Sequence, residues 1–91
     1  MLYRVEFTPE AADNLANLSQ TIQERILRKI KWLSENFGDV SHQGLSAYLS
    51  WLSKLRIGDY RVIYSFDDKA EREVTSIMIH RVGHRREIYD A

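Results

Sequence analysis

The sequence predicts an α+β domain in the order β-α-α-β-β-β, a helical hairpin packed on a mostly antiparallel sheet. Three observations predict it. Residues 2–7 alternate apolar and polar side chains, the pattern of a half-buried strand. Residues 9–35 carry apolar side chains at helical spacing in two blocks, interrupted at Ser19-Gln20. Residues 51–82 hold three strand-like runs, separated by Gly58-Asp59 and by the polar stretch 67–72.

Each element has a local reason. In the first strand Tyr3, Val5 and Phe7 oppose Arg4 and Glu6. Thr8-Pro9-Glu10 then reads as a helix start: a hydroxyl N-cap, Pro at the first helical position and an acid in the first turn. Ala11, Leu15 and Leu18 follow. Thr21-Ile22-Gln23-Glu24 has capping-box spacing for a second helix, whose stripe is Ile22, Ile26, Ile30 and Leu33. Asn36-Phe37-Gly38 closes it, with Gly available for a left-handed cap. Residues 39–47 read as loop. Trp51, Ser53, Leu55 and Ile57 share one face of the next strand, and Leu52, Lys54 and Arg56 the other. Gly58-Asp59 is a turn signal. Tyr60, Val62, Tyr64 and Phe66 then alternate with Arg61, Ile63 and Ser65. Val74 to Val82 is apolar on both faces around Ile77 to Ile79, as a central strand is. Gly83 breaks it, leaving His84 to Ala91 as a short tail.

Ninety-one residues make one domain, 1–91, and 44% apolar composition is enough for a modest core. There is no cysteine, so neither a disulfide framework nor a thiolate metal site is available. No His, Asp or Glu pair has metal-ligand spacing on a helix face, and no glycine-rich phosphate loop or nucleophile elbow occurs, so neither metal nor cofactor is expected. The longest uncharged run, Gln43 to Ser53, is too short and polar to span a bilayer, and the first residues lack an apolar signal segment. A soluble cytoplasmic domain with no membrane contact is expected.

Thirteen basic and thirteen acidic side chains give a net charge of zero, which by itself argues against a nucleic-acid partner. The distribution tells a different story. Lys54, Arg56 and Arg61 stand against Asp59 alone in 54–61, and Arg81, Arg85 and Arg86 have no acid among them in 81–86. The acids Asp67, Asp68, Glu71 and Glu73 gather in the polar stretch. If Gly58-Asp59 is a two-residue turn, Ile57 faces Tyr60, Arg56 faces Arg61 and Lys54 faces Ile63. Two like charges directly opposite are destabilising. Either the pair frames an anion, or the guanidinium groups splay into water or meet Glu87 or Asp90. Pairing of the last two strands would bring Arg85 and Tyr89 to the same face, with His84 close by. Such a set binds phosphate and stacks a base. It also contains cations to stabilise a developing negative charge and groups to move a proton.

Lys54-Leu55-Arg56-Ile57-Gly58-Asp59-Tyr60-Arg61-Val62-Ile63-Tyr64, followed by Val82-Gly83-His84-Arg85-Arg86-Glu87-Ile88-Tyr89, resembles the RelE branch of the RelE/ParE toxin superfamily. The opening strand and Thr8-Pro9-Glu10-Ala11 fit as well, so the resemblance covers nearly the whole chain. It implies a toxin of a type II toxin–antitoxin system, a metal-independent mRNA interferase that cleaves mRNA on the ribosome and so inhibits translation. The implied partners are a cognate antitoxin, the ribosome and mRNA, with operator DNA contacted through the antitoxin. The implied catalytic residues are Lys54, Arg61, Arg85 and Tyr89. Arg61 and Arg85 would bind the phosphate and its transition state, and Lys54 would stabilise charge or transfer a proton. Tyr89 would stack on a base or transfer a proton. Arg56, Arg81, His84 and Arg86 complete the implied RNA-binding set. Leu52 stands where the best-known members carry a second lysine, and His84 where a lysine often occurs. The ParE branch, which poisons gyrase, and a catalytically weak toxin that mainly binds its antitoxin are the competing functions. Trp32 and Trp51 read as core or antitoxin-contact residues, His42 as a loop residue without a chemical role, and His80 as a hydrogen-bonded strand histidine.

Overall fold

A computed structural model describes residues 2–44, 51–67 and 74–89. The order is β1 (Leu2–Phe7), α1 (Pro9–Ala16), α2 (Gln20–Glu35), a 3-10 turn (Phe37–Asp39), β2 (Gln43–Gly44), β3 (Ser53–Ile57), β4 (Tyr60–Asp67), β5 (Val74–His84) and α3 (Arg85–Tyr89). The strands form one sheet in the order β1-β5-β4-β3-β2, antiparallel except where β1 runs parallel to β5. The expected α+β architecture is therefore present, with β5 an interior strand between β1 and β4, in keeping with its apolar character on both faces.

The helix starts follow from capping. The Thr8 hydroxyl accepts from the Ala11 amide at 3.0 Å, ahead of Pro9 at the first helical position. The same hydroxyl donates to the His80 carbonyl at 3.2 Å, so one side chain both starts α1 and ties it to β5. Where β1 ends, α1 takes over the exposed edge of β5, with the Val82 amide donating to Asn14 Oδ1 at 3.0 Å. For α2 the cap is Ser19, accepting from the Ile22 amide, and not the box opening at Thr21: the helix begins two residues earlier than that spacing predicts. Its C-terminus also differs from expectation. Asn36 ends it with φ −120°, its side-chain amide donating to the Trp32 carbonyl at 2.9 Å, and Phe37–Asp39 continues as a tight turn. No left-handed Gly38 is needed; among the described residues positive φ occurs at Gly58 alone.

The core lies between the helices and one face of the sheet. Ala11, Ile26, Ile30, Leu33 and Phe37 meet Leu55, Ile57, Val62, Tyr64, Ile77, Ile79 and Val82. Removing such side chains from water is worth about 1.5–3 kcal/mol each and drives the packing of an otherwise polar α2. Of the predicted stripe Ile22, Ile26, Ile30 and Leu33, the last three are buried and Ile22 is half-buried. The stretch 39–47 is not wholly loop: Gln43 and Gly44 add a two-residue strand to the edge of β3. His42 is not idle either. Its Nδ1 lies 2.6 Å from the Tyr64 hydroxyl and its Nε2 3.1 Å from the Phe37 carbonyl, inside a cage of Phe37, Tyr64 and Phe66 rings. Burial raises the Tyr64 phenol above its ordinary pKa, partly opposed by its hydrogen bond with Ser53.

Two expectations near the end of the chain are corrected. Gly83 does not break the third strand of the hairpin sheet. It stays paired, opposite Arg61, and β5 runs on to His84. The tail then forms α3 rather than an irregular end, because Ile88 finds a buried position above the sheet. The acidic turn lies outside the described residues at 68–73. No helix among the described residues is long and apolar enough to cross a membrane.

Candidate functional site: the arginine face of the sheet

The two-residue turn at Gly58-Asp59 fixes the register of the hairpin. Ile57 pairs with Tyr60, Arg56 with Arg61, Leu55 with Val62 and Lys54 with Ile63, as turn length predicts. Gly58 adopts φ +58°, a left-handed conformation that favours glycine. Across β5, Arg61 pairs with Gly83 and Ile63 with Arg81. The face away from the helices thus carries two rows across three strands: Arg56–Arg61–Gly83 and Lys54–Ile63–Arg81. Partners in such rows have Cα atoms roughly 5 Å apart. A β-bulge between Ile63 and Tyr64, opposite the extra residue His80, keeps Arg81 in line with Ile63.

Gly83 has no side chain, and α3 occupies the space above it. A Cβ at this position would lie 3.5 Å from Ile88 Cδ1 and from Glu87 Oε2. Therefore α3 covers the arginine face, beside Arg61, as the sequence reading required. Its first residue is anchored on the hairpin turn: the Arg85 amide donates to the Asp59 carbonyl at 2.8 Å, and Arg85 Nε lies 3.8 Å from Asp59 Oδ1. Both side chains of this ion pair are mostly exposed, so the backbone bond is the firmer tie.

Arg61 is only 6% exposed. Its Nη1 donates to the Gly58 carbonyl at 2.7 Å and to the Tyr60 carbonyl at 2.8 Å. Both bonds leave from one nitrogen, and among the described residues Nε and Nη2 have no hydrogen-bond partner, the side of the planar fork that suits phosphate. Arg56, its cross-strand partner, is exposed. Among the described residues neither arginine forms a salt bridge with Glu87, and Asp90 lies outside them: the Arg61 guanidinium is folded back on the turn, and Arg56 is exposed to solvent. The Gly58-Asp59 turn is the organiser that sequence reading missed, since it holds Arg61 by one carbonyl and Arg85 by the next. A G-D turn flanked by arginines was its only signal.

The remaining implied residues divide. Lys54 is half-buried on the arginine face and engaged with its surroundings. Arg81 is drawn toward α1: its buried Nε lies 3.6 Å from Glu10 Oε1, just beyond hydrogen-bond length. His84 pairs with Tyr60, on the helix side of the sheet, and packs edge-on against its ring at 5.6 Å. Its Nδ1 accepts from the Arg86 amide at 3.2 Å. His84 and Arg86 line a separate cleft of about 360 Å³ with Leu18, Tyr60 and Glu87. The structure does not bring them into the arginine rows. Tyr89 ends α3, and its side chain lies outside the described residues. Trp51 is 60% exposed rather than buried with Ser53, Leu55 and Ile57, because it precedes β3 and escapes its alternation. Its ring stands edge-on to His80, whose Nε2 lies 2.7 Å from Ser65 Oγ. No group of three or more potential metal ligands occurs among the described residues.

The sequence model of a family described as the ParE toxin of type II toxin–antitoxin systems, parDE, matches residues 5–89. The chain belongs to the RelE/ParE toxin superfamily. Solved structures agree. The chain is similar to one in the RelBE2 toxin–antitoxin complex of Mycobacterium tuberculosis, at 31% identity and TM-score 0.77, covering 93% of this chain and 100% of that one. It is similar to the archaeal RelE–RelB complex of Pyrococcus horikoshii at 29% identity and TM-score 0.66, covering 93% and 97%. A mutant of E. coli RelE in the free state shares the fold at 22% identity and TM-score 0.72, covering 99% and 93%. No curated protein matches the chain. In this chain the arginine rows occupy the sheet face that α3 borders, and Leu52 lies half-buried just ahead of β3.

Proposed function

We propose that this member of the superfamily is a ribosome-dependent endoribonuclease, the toxin of a type II pair neutralised by a cognate antitoxin. The observation that carries the reading is Arg61, pinned by Nη1 to the hairpin turn with the rest of its fork left for an anion, beside Arg56 and Lys54. Relatives solved as RelB–RelE complexes support the antitoxin.

In this reading the 2′-hydroxyl of an mRNA nucleotide attacks the adjacent phosphorus. A bond forms from the 2′-oxygen to phosphorus as the bond to the 5′-oxygen of the next nucleotide breaks. The products are a 2′,3′-cyclic phosphate and a free 5′-hydroxyl. One group removes the 2′-proton and another protonates the leaving oxygen. Arg61 and Arg85 stabilise the charge that builds on the phosphoryl oxygens, the kind of contribution worth about 2.7–4 kcal/mol per donor. Because His84 faces the helix side, Lys54 and Tyr89 are the groups to test as base and acid. Arg56 guides the RNA backbone, while Arg81, engaged with Glu10, contributes less.

The test is purified protein added to a translating extract, with mRNA ends mapped by primer extension. New ends with the native chain and none with Arg61→Ala are expected. No new ends with the native chain would sink the reading; ends that persist with Arg61→Ala would remove the site assignment. A second reading, a gyrase poison, is favoured by the ParE description of the matching family and by Leu52. Trapped gyrase–DNA cleavage complexes without mRNA cleavage would select it.

A further inference from the structure

A second cationic surface lies outside the arginine face. Arg25, Arg28, Lys29 and Trp32 follow one another at i, i+3, i+4 and i+7 on α2, so they form one stripe along about 10 Å of helix. With Ile57 of β3 they line a groove of about 330 Å³ that has no acid among its described lining residues. Arg25 and Arg28 are exposed, and among the described residues none of the three cations is in an ion pair. Trp32 is 40% exposed. A large apolar side chain left open beneath unpaired cations is the composition of an interface rather than of a solvated helix face.

Two ligand chemistries suit cations, an anionic polymer or an acidic protein segment, and the tryptophan separates them. Lys29 Nζ sits 3.7 Å above the Trp32 ring centre, so that ring face is occupied and closed to base stacking. The groove floor of Trp32 and Ile57 instead suits an aliphatic anchor. A partner helix lying along α2 presents carboxylates every third or fourth residue, matching the pitch of Arg25, Arg28 and Lys29.

We infer that the α2 groove of Arg25, Arg28, Lys29, Trp32 and Ile57 is the docking site for an acidic amphipathic helix of a partner protein. The inference rests on the antitoxin reading for the partner's biological identity, but not on ribonuclease activity. The groove also borders the candidate site. Arg25 Nη2 lies 3.1 Å from where a Cβ on Gly58 would stand, and the Gly58 carbonyl is the one that holds Arg61. An occupant that engages Arg25 therefore lands against the turn on which the arginine face is built.

The experiment follows Trp32 fluorescence in a Trp51→Phe background. Three probes are titrated: a sixteen-residue helical peptide with a leucine stripe and glutamates on the flanking positions, the same peptide with lysines for glutamates, and a single-stranded RNA decamer. The acidic peptide is expected to shift the Trp32 emission saturably. Its affinity should fall at least tenfold in Arg25→Gln/Arg28→Gln, a variant that removes charge at exposed positions and whose fold is checked by circular dichroism. Absence of a saturable shift with the acidic peptide would overturn the inference. So would equal affinity for the lysine peptide, a shift produced by RNA and lost in the double variant, or unchanged acidic-peptide affinity in that variant. Primer-extension mapping of mRNA ends is read separately, so loss of the ribonuclease reading leaves the peptide result standing.

Discussion

On the face of the sheet turned to α1 and α2, Val62, Ile77 and Ile79 are fully enclosed and Tyr64 is 1% exposed. On the opposite face the same strands carry Lys54, Arg56, Arg61 and Arg81 around one buried isoleucine, Ile63, with a five-residue helix as partial cover. The difference follows from the period of two along a strand. Each strand supplies one set of side chains to be removed from water and another free to bear charge. The helix face holds the molecule together, and the arginine face tolerates like charges because that stability is supplied elsewhere. Its one buried cation, Arg61, is satisfied by backbone carbonyls rather than by a carboxylate. A carboxylate partner would neutralise it, whereas carbonyl oxygens orient the guanidinium and leave its charge for a ligand.

That contrast can be broken from either side. The largest effect is expected on the helix face. Ile79→Ala should cost about 2–5 kcal/mol of unfolding free energy in urea melts, whereas Arg56→Ala should stay within about 0.5 kcal/mol. Equal costs would mean that both faces bear the load. On the arginine face the corresponding loss should be in rate. Arg61→Ala should lower mRNA cleavage by about 10²–10³-fold in primer-extension time courses, with Arg61→Lys intermediate because an ammonium cannot fork.

The turn that joins the two faces comes next. Gly58→Ala forces a Cβ into the left-handed region and should cost about 1–2 kcal/mol. The added methyl meets only the end of the Arg25 side chain, so Gly58→Ala/Arg25→Ala should recover little stability, since most of the cost is backbone. Alkaline titration tests the helix face again. The Tyr64 phenol has its folded pKa raised by burial, so the folded state retains the proton longer than the unfolded chain. Its contribution is complete below the unfolded value near 10 and is lost as pH rises through the folded value. Urea midpoints should therefore fall from about pH 10 upward, and Tyr64→Phe should flatten that fall. The smallest effect is the relief of facing charges. Arg56→Gln should raise stability by a few tenths of a kcal/mol and reduce the salt slope of RNA binding by about one.

Much of the arginine face was legible before the fold was known. The pairing of Arg56 with Arg61 and of Lys54 with Ile63 depends only on a two-residue turn between alternating runs, and both signals are local. The position of Arg85 beside them needed one further step, the pairing of two consecutive strands. His84 differs from expectation because strand parity continues through Gly83: read as a breaker, that glycine ends the strand two residues early and leaves the face of His84 unset. Continued pairing puts His84 opposite Tyr60, on the other side. Trp51 departs from the core face for the converse reason, since alternation does not extend past the first residue of β3; its exposure leaves the contact reading of that side chain open.

What the sequence by itself determined is the set of local choices: two capped helices, the α2 stripe, a glycine turn and the alternation that sorts each strand into two faces. These rest on interactions within a few residues, where backbone sterics and spacing suffice. Only the tertiary structure decided what lies against what. The Asp59 carbonyl receives the Arg85 amide, α3 settles over Gly83, His42 reaches Tyr64, and Arg25 meets Gly58. These contacts join segments 22 to 33 residues apart, or close α3 over a sheet that must first exist. Their partners are chosen by how the buried core sets the helices on the sheet, which no local spacing encodes.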